Sequence, residues 1–274
     1  MKISCLPVSF FSQLEKQEMS VLDWVAMGKE VGLDGVDLSV LFLENLDKDY
    51  IYGLRNGFKD IHMPIAMIST YPDFTNPDPK ERERQVELEK QYIKAAGRLG
   101  ASLVRITAGQ SHPGLKEDVG IRWAIKGLKS CERTAKEAGV RLALENHGKP
   151  SCWKYPDFDQ PTHIFLTLAE GIKNTGIGIN FDTANPVVAG DDPLDVLEPV
   201  IDQVICIHAA DTGSREALHH VLLGTGLVSF EKIFSRLKRA GYDGWISMEE
   251  GSGLGREGVR KAARFIREIW QKVN

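Results

Sequence analysis

The chain has 274 residues, of which 42% are hydrophobic and 26% are charged, and its formal net charge is -4. A globular chain of this length buries roughly three quarters of its unfolded surface, so it needs no disulfide framework. The slight acidity gives no general attraction to nucleic acid or to an anionic membrane, and no apolar run approaches the ~20 residues of a membrane span.

Short apolar segments alternate with longer amphipathic ones along the chain. The apolar segments, which we predict to be strands, are residues 2–9, 35–40, 62–69, 102–107, 141–146, 178–182, 204–208 and 244–249. Several are apolar on both faces, as in parallel strands that are covered on both sides. Helices are predicted at residues 21–31, 79–99, 119–138, 161–174, 229–240 and 256–273.

Strands and helices in this alternation predict one α/β domain, a (β/α)8 TIM barrel that spans residues 1–274. The glycines that follow several predicted helices suit the short turns back into a strand, and ~250 residues is the usual size of such a barrel. A doubly wound open sheet is the alternative. It would usually begin with a glycine-rich turn, whereas the first turn here reads Ser9-Phe10-Phe11-Ser12.

The last four predicted strands each end on a residue that can bind a metal. These residues, called the quartet below, are Glu145, Asp182, His208 and Glu249. Barrel strands carry active-site groups at their carboxyl ends, so the four side chains are expected to converge. Three carboxylates and one imidazole favour a single Mn²⁺, Mg²⁺ or Co²⁺ ion, and Zn²⁺ is also compatible.

A cation held in this way can bind a carbonyl and a neighbouring hydroxyl group of a substrate and stabilise an enediolate. Carboxylates on either side of the substrate can then remove and return a proton. Glu250 is the obvious rival of Glu249, but the two side chains point to opposite faces of a strand.

Four further residues are predicted to bind substrate. His147 lies two residues beyond Glu145 and shares its direction if the strand continues, although a loop histidine bonded to the backbone is an equal alternative. Arg105 and Arg215 could each bind a hydroxyl, phosphate or carboxylate group. Arg105 could instead pair with a carboxylate inside the barrel. Asp211, three residues after His208, completes this group.

Several segments resemble the xylose isomerase-like TIM barrel superfamily. They are Glu145-Asn146-His147, Asn180-Phe181-Asp182-Thr183-Ala184-Asn185, His208-Ala209-Ala210-Asp211, Leu223-Gly224-Thr225-Gly226 and residues 241–249. The superfamily includes ketose 3-epimerases, hydroxypyruvate isomerase, inosose dehydratase and endonuclease IV. The resemblance implies that the quartet binds one catalytic metal ion and that Glu145 and Glu249 transfer the proton. For Gly224 and Gly226 we favour a simple tight turn.

The leading functional hypothesis is therefore a metal-dependent isomerase or epimerase of a small sugar or sugar derivative. A lyase that dehydrates an inosose or a 3-dehydroshikimate-like substrate would begin with the same proton removal. A DNA-repair nuclease is a distant third, because Asn185 stands where the nuclease pattern has histidine and the acidic chain lacks a cationic footprint for phosphates. A non-enzymatic sugar-binding barrel would be favoured by a missing ligand, and all four ligands are present.

The remaining expectations concern partners and location. The four cysteines form no CxxC pair, which favours reduced thiols. The N-terminal apolar run contains Pro7 and lacks a cleavage site for a signal peptide, so we expect a cytoplasmic protein. We expect a small sugar as the partner, without nucleic acid or membrane. A homo-oligomer is suggested only by analogy with the family.

Overall fold

The computed structural model describes all 274 residues and contains one sheet of eight parallel strands. The strands are β1 (Lys2–Leu6), β2 (Val36–Ser39), β3 (Ile65–Ser69), β4 (Leu103–Ile106), β5 (Arg141–Glu145), β6 (Gly178–Asp182), β7 (Val204–Ala209) and β8 (Trp245–Glu249). Their order in the sheet is β1-β8-β7-β6-β5-β4-β3-β2. At the seam, the Ser4 hydroxyl of β1 donates to Asp37 Oδ2 of β2 at 3.0 Å. The sheet is thus a nearly closed barrel, and the predicted (β/α)8 fold is confirmed.

Ten α-helices accompany the strands. They are α1 (Phe11–Glu15), α2 (Val21–Glu30), α3 (Lys48–Ile61), α4 (Pro79–Leu99), α5 (Glu117–Ala138), α6 (Thr162–Ile172), α7 (Asn185–Ala189), α8 (Pro193–Leu197), α9 (Phe230–Arg239) and α10 (Gly255–Lys272). Ser20 caps α2 through a capping box with Asp23, as a serine before an apolar run predicts. None of the helices combines the length and the apolarity that a membrane crossing demands.

The structure differs from the prediction in several places, and the short helices α1, α7 and α8 are among the elements that were not predicted. The first strand stops at Leu6, because Pro7 precedes a short 3₁₀ turn. Helix α3 was not predicted; its sequence is polar, contains two glycines and buries only Ile51 and Phe58. His62, which was assigned to the third strand, instead ends α3 in the left-handed conformation with φ of 60°. That strand starts at Ile65.

The barrel interior holds both apolar and polar side chains. Met67, Leu103 and Cys206 form a small apolar cluster. Asp37 Oδ2 accepts hydrogen bonds from the hydroxyls of Ser4 and Ser247, and all three residues are buried. Interiors of such barrels are usually filled by branched apolar side chains. The buried polar group around Asp37 departs from that pattern.

Candidate metal centre

The quartet converges at one rim of the barrel. Glu145, Asp182 and Glu249 are the last residues of β5, β6 and β8, and His208 is the next to last of β7. Ligand atoms of Glu145, Asp182 and His208 lie within 4.8 Å of one another. His208 Nδ1 contacts Glu145 Oε1 and lies 3.1 Å from Glu249 Oε1. The four side chains that the sequence analysis singled out are therefore neighbours in space.

Two polar residues hold the ends of these strands in register. The side-chain amide of Asn146 donates to the carbonyl of Asp182 at 3.0 Å, and its oxygen accepts the N–H of Asp182 at 2.8 Å. The Thr183 hydroxyl donates to the carbonyl of Ala210 at 2.7 Å and accepts its N–H at 3.1 Å. Neither role is predicted from the sequence. Their one signal in the sequence is that each directly follows a predicted ligand.

The backbone orients the carboxylate of Asp182. Its Oδ1 accepts the N–H groups of Ala184 at 2.8 Å and of Asn185 at 2.6 Å, at the start of α7. Oδ2 is buried and has no hydrogen-bond partner. One oxygen thus anchors the side chain while the other is free to bind a ligand.

The charges of the quartet depend on one another. Burial opposes the charge of His208, but Glu145 and Glu249 together raise its pKa well above the usual value. Burial likewise opposes the charge of Glu249, yet the neighbouring His208 lowers its pKa to about 2. Burial, Glu249 and Glu145 raise the pKa of Asp182. Within the quartet, the imidazolium of His208 is therefore the one positive charge among three carboxyl groups.

This arrangement fits a divalent cation. Asp182 Oδ2 and His208 Nε2 are buried without a partner, and native proteins rarely leave such atoms unpaired. A bound cation would supply the positive charge that three closely spaced carboxyl groups lack. Carboxylate oxygens and an imidazole nitrogen are also the donor types that Mn²⁺, Co²⁺ and Zn²⁺ accept.

Arg105 occupies the position of a buried ion-pair partner. It is 1% exposed, and its Nε lies 2.9 Å from Glu145 Oε2, although the N–H is not aligned for a hydrogen bond. Nη1 donates to the carbonyl of Thr70 at 2.8 Å, and the guanidinium lies over the ring of Tyr71 at 4.5 Å. Burial opposes the charge of Glu145, but His208 and then Arg105 lower its pKa. Arg105 therefore helps to keep Glu145 ionised.

His147 lies beside the quartet, in the loop after β5. Its side chain is 13% exposed, and Nδ1 lies 3.3 Å from Asp157 Oδ2. Burial and then the charge of Arg105 lower its pKa to about 4. The ring is thus neutral near pH 7. Its Nδ1 faces the Asp157 carboxyl group without a formed hydrogen bond, and it has no backbone partner of the kind considered above.

Asp211 and Arg215, the other two residues predicted to bind substrate, lie in the loop after β7. The Asp211 carboxylate accepts the backbone N–H groups of Gly224 and Gly226 at 3.0 and 2.9 Å, together with those of Thr212 and Val228 at 3.0 and 3.1 Å. The Gly-x-Gly segment is thus a turn closed around this carboxylate. Arg215 is exposed, lines a surface groove and makes no hydrogen bond or ion pair with the quartet.

Glu250 and Glu249 point to opposite sides of β8, as expected. Glu250 Oε2 accepts the Ser9 hydroxyl at 2.6 Å, and its Oε1 accepts the N–H of Ser252 at 3.0 Å. Glu250 therefore ties the end of β8 to the loop after β1 and stays outside the quartet.

Comparisons with known proteins agree with this fold. A putative hydroxypyruvate isomerase of Streptomyces coelicolor is 27% identical, over 86% of this chain and 87% of that protein. An L-ribulose 3-epimerase of Mesorhizobium japonicum is 26% identical, over 90% and 81%. The crystal structure of the IolI protein with a bound zinc atom superposes with a TM-score of 0.83 at 17% identity, over 100% of this chain and 99% of that one. Residues 25–269 match the model of a single family, so the chain belongs to the xylose isomerase-like TIM barrel family.

Proposed function

We propose that the protein is a metal-dependent isomerase or epimerase that acts on a small sugar or sugar derivative. The observation that carries this proposal is the convergence of the quartet at the barrel rim with buried ligand atoms that lack partners. The relatives named an isomerase and an epimerase support it, because each aligns along most of this chain.

The quartet would hold one divalent cation. Mn²⁺, Mg²⁺ and Co²⁺ suit a set dominated by carboxylates, and Zn²⁺ also suits it. When bound, such an ion would orient a carbonyl and an adjacent hydroxyl of the sugar and stabilise negative charge on them.

Glu145 and Glu249 are the proposed acid and base. They extend from β5 and β8, and both have lowered pKa values, so each is ionised near pH 7 and can accept the substrate proton. The glutamate that returns a proton to the substrate would be one that has been protonated in the preceding step. The Glu249 side chain is 11% exposed, whereas that of Glu145 is fully buried against Arg105 and His208. Glu249 therefore has the easier access to a substrate that enters from the barrel mouth.

His147 is proposed to bind the substrate as a neutral hydrogen-bonding group. Its side chain is partly exposed beside the quartet, and its buried Nδ1 has no hydrogen-bond partner. Arg105 would act on the substrate indirectly, through the charge of Glu145. Asp211 and Arg215 would influence the site only through the loop after β7.

The test uses the Mn²⁺-loaded enzyme, a panel of ketoses and deuterated water. Glu145→Gln and Glu249→Gln should each lower kcat by roughly 10²–10⁴-fold with a smaller change in KM. Deuterium should enter the product at the exchanged carbon with the wild type and not with these variants. Glu250→Gln is the matched control and should keep near-normal kcat. The metal content of every variant is measured, so that a lost base is distinguished from a lost ion.

Near-normal turnover in both Gln variants would mean that these glutamates only hold the metal, and the proton-transfer mechanism would be abandoned. A product that lacks the elements of water relative to its substrate would instead identify a dehydratase that uses the same site, because both reactions start by removing a proton beside a carbonyl.

A further inference from the structure

Positive charge is scarce around the mouth of the barrel. The segments that follow the eight strands, up to the next helix of the barrel wall, are residues 7–20, 40–47, 70–78, 107–116, 146–161, 183–192, 210–229 and 250–254. They carry thirteen aspartates and glutamates but five lysines and arginines, whereas the whole chain has 38 Asp and Glu against 34 Lys and Arg. These segments surround the carboxyl ends of the strands, where a substrate enters a barrel of this kind. The mouth is therefore more acidic than the rest of the molecule.

The few cations of the mouth form no preorganised anion site. All five are exposed, and none forms an ion pair or donates a hydrogen bond through its side chain; they are Lys16, Lys116, Lys149, Lys154 and Arg215. Arg105, at the end of β4, is 1% exposed and pairs with Glu145. Phosphate and carboxylate groups are usually bound by an arginine fork or by several fixed N–H donors. No side chain in these segments is held in such a position.

Backbone N–H groups that could bind a phosphate already have carboxylate partners. In the loop after β7, the N–H groups of Gly224 and Gly226 donate to Asp211 at 3.0 and 2.9 Å. A glycine-containing turn of this kind would otherwise be a concave site for an anion. The carboxylate of Asp211 takes the place of a phosphate group in this turn.

Carboxyl groups also occupy the helix N-termini at the mouth. The helix dipole favours an anion at this end, and in a (β/α)8 barrel it faces the same side as the carboxyl ends of the strands. Six of the seven helices longer than eight residues have an acidic residue in the first turn. At the seventh, α6, the Thr162 hydroxyl donates to the carboxylate of Asp191. The protein thus supplies its own negative groups where an anionic ligand would be attracted.

We propose that the substrate is an uncharged sugar: the part of it that extends away from the quartet carries hydroxyl groups and neither a phosphate nor a carboxylate group. This substrate class rests on the function proposed above, in which the quartet and its cation act on the carbonyl end of the sugar. An anionic group in an acidic mouth would be repelled, whereas hydroxyl groups would not.

Polar side chains that suit hydroxyl groups lie beside the quartet. The side chain of His147 is 13% exposed there. Asn185, three residues after Asp182, is 8% exposed, and a Cβ on Gly148 would lie 3.0 Å from its Oδ1. Its amide therefore lies where the loops after β5 and β6 meet. An amide can both donate a hydrogen bond to a hydroxyl group and accept one from it.

The test compares ketoses with their terminal phosphate esters on the Mn²⁺-loaded enzyme. The probes are ribulose, xylulose and fructose and the terminal phosphate of each. The free sugar that is turned over best should have a kcat/KM at least about tenfold above that of its ester, because the acidic mouth repels the ester. Raising NaCl from about 0.05 to about 0.5 M should increase kcat/KM for the ester and leave that of the free sugar unchanged, because salt screens the repulsion.

Two variants examine the cations nearest to a possible phosphate group. Lys149→Ala alters the loop after β5, and Arg215→Ala alters the loop after β7. Neither should change the ratio of kcat/KM between a free sugar and its ester, because neither cation is expected to contact the substrate. A selective loss of turnover of the ester in either variant would contradict the proposal.

A further measurement needs neither metal nor sugar. The ³¹P resonance of inorganic phosphate is followed during titration with the metal-free protein at millimolar phosphate. No saturable binding should appear, or only binding that Lys149→Ala and Arg215→Ala leave unchanged, because the N–H donors of the mouth are paired with carboxylates. Binding that either variant removes would reveal an anion site at the mouth and overturn the inference.

The outcomes separate this inference from the proposed function. Turnover that favours the phosphate ester and falls as salt rises would overturn the inference, while the isomerase or epimerase function would stand. If neither free nor phosphorylated sugars are turned over, the proposed function fails, and the phosphate titration alone decides whether the mouth binds anions.

Discussion

Glu89 is a buried acid outside the candidate site. It lies on α4, is 1% exposed, and accepts a hydrogen bond from the Thr70 hydroxyl at 2.8 Å through Oε1. Oε2 has no partner. Burial raises its pKa from 4.5 to about 8. The native state therefore keeps the proton of Glu89 up to a much higher pH than the unfolded chain does.

A pH-dependent loss of stability should follow. Because the folded pKa lies above the unfolded value, the contribution of Glu89 is fully present below about pH 4.5 and is lost as the pH rises towards 8. Across this window the wild type should lose ~1.4 kcal/mol per pH unit relative to Glu89→Gln, which keeps the acceptor for Thr70. Urea unfolding at pH 5.5 and 8.5 measures this difference. Parallel pH profiles of the two proteins would contradict the assignment.

The loop between β7 and α9 is organised around a single carboxylate. Both oxygens of Asp211 accept backbone N–H groups, two of them from Gly224 and Gly226. A Cβ atom on Gly226 would lie 2.3 Å from Asp211 Oδ1 and 2.5 Å from the carbonyl of Thr212. Glycine is required at residue 226 because the loop backbone approaches these groups closely.

Gly226→Ala should therefore destabilise the protein by about 2 kcal/mol or more, since it separates the loop from its buried acceptor. Gly53→Ala is a matched control, because a Cβ at this exposed position of α3 meets nothing within 4 Å. That change should be neutral or stabilise the protein by up to about 1 kcal/mol. Urea unfolding measures both. Equal stabilities of the two variants would show that the loop tolerates the displacement of Asp211.

Elements with a strong periodic pattern could be predicted from the sequence, and loop contacts could not. Helix α4 agrees with the predicted residues 79–99, because its charged face and its terminal glycine are local signals. The convergence of the quartet followed from apolar strands that each end on a ligand residue. Asp157 shows no such pattern, because its loop is held by a backbone bridge to Gln110, 47 positions earlier in the chain. Helix α3 was missed since its sequence is polar and glycine-containing.

The two halves of the barrel contribute different parts of the candidate metal centre. Strands β5 to β8 supply the quartet, whereas β4 supplies Arg105, which pairs with Glu145. The loops after β3 and β4 hold the loop after β5 through Asp73 and Gln110. The quartet gathers three carboxyl groups around one imidazole, and a cation would join four consecutive strands. We therefore expect metal binding to raise the stability of the barrel as a whole.

The central claim is that the quartet holds one divalent cation. The most direct test is a calorimetric titration of chelator-treated protein with Mn²⁺. The account predicts one equivalent bound by the wild type, a large loss of affinity in His208→Ala, and no change in His219→Ala, which alters an exposed histidine of the neighbouring loop. Undiminished Mn²⁺ binding in His208→Ala, or no binding by the wild type, would contradict it.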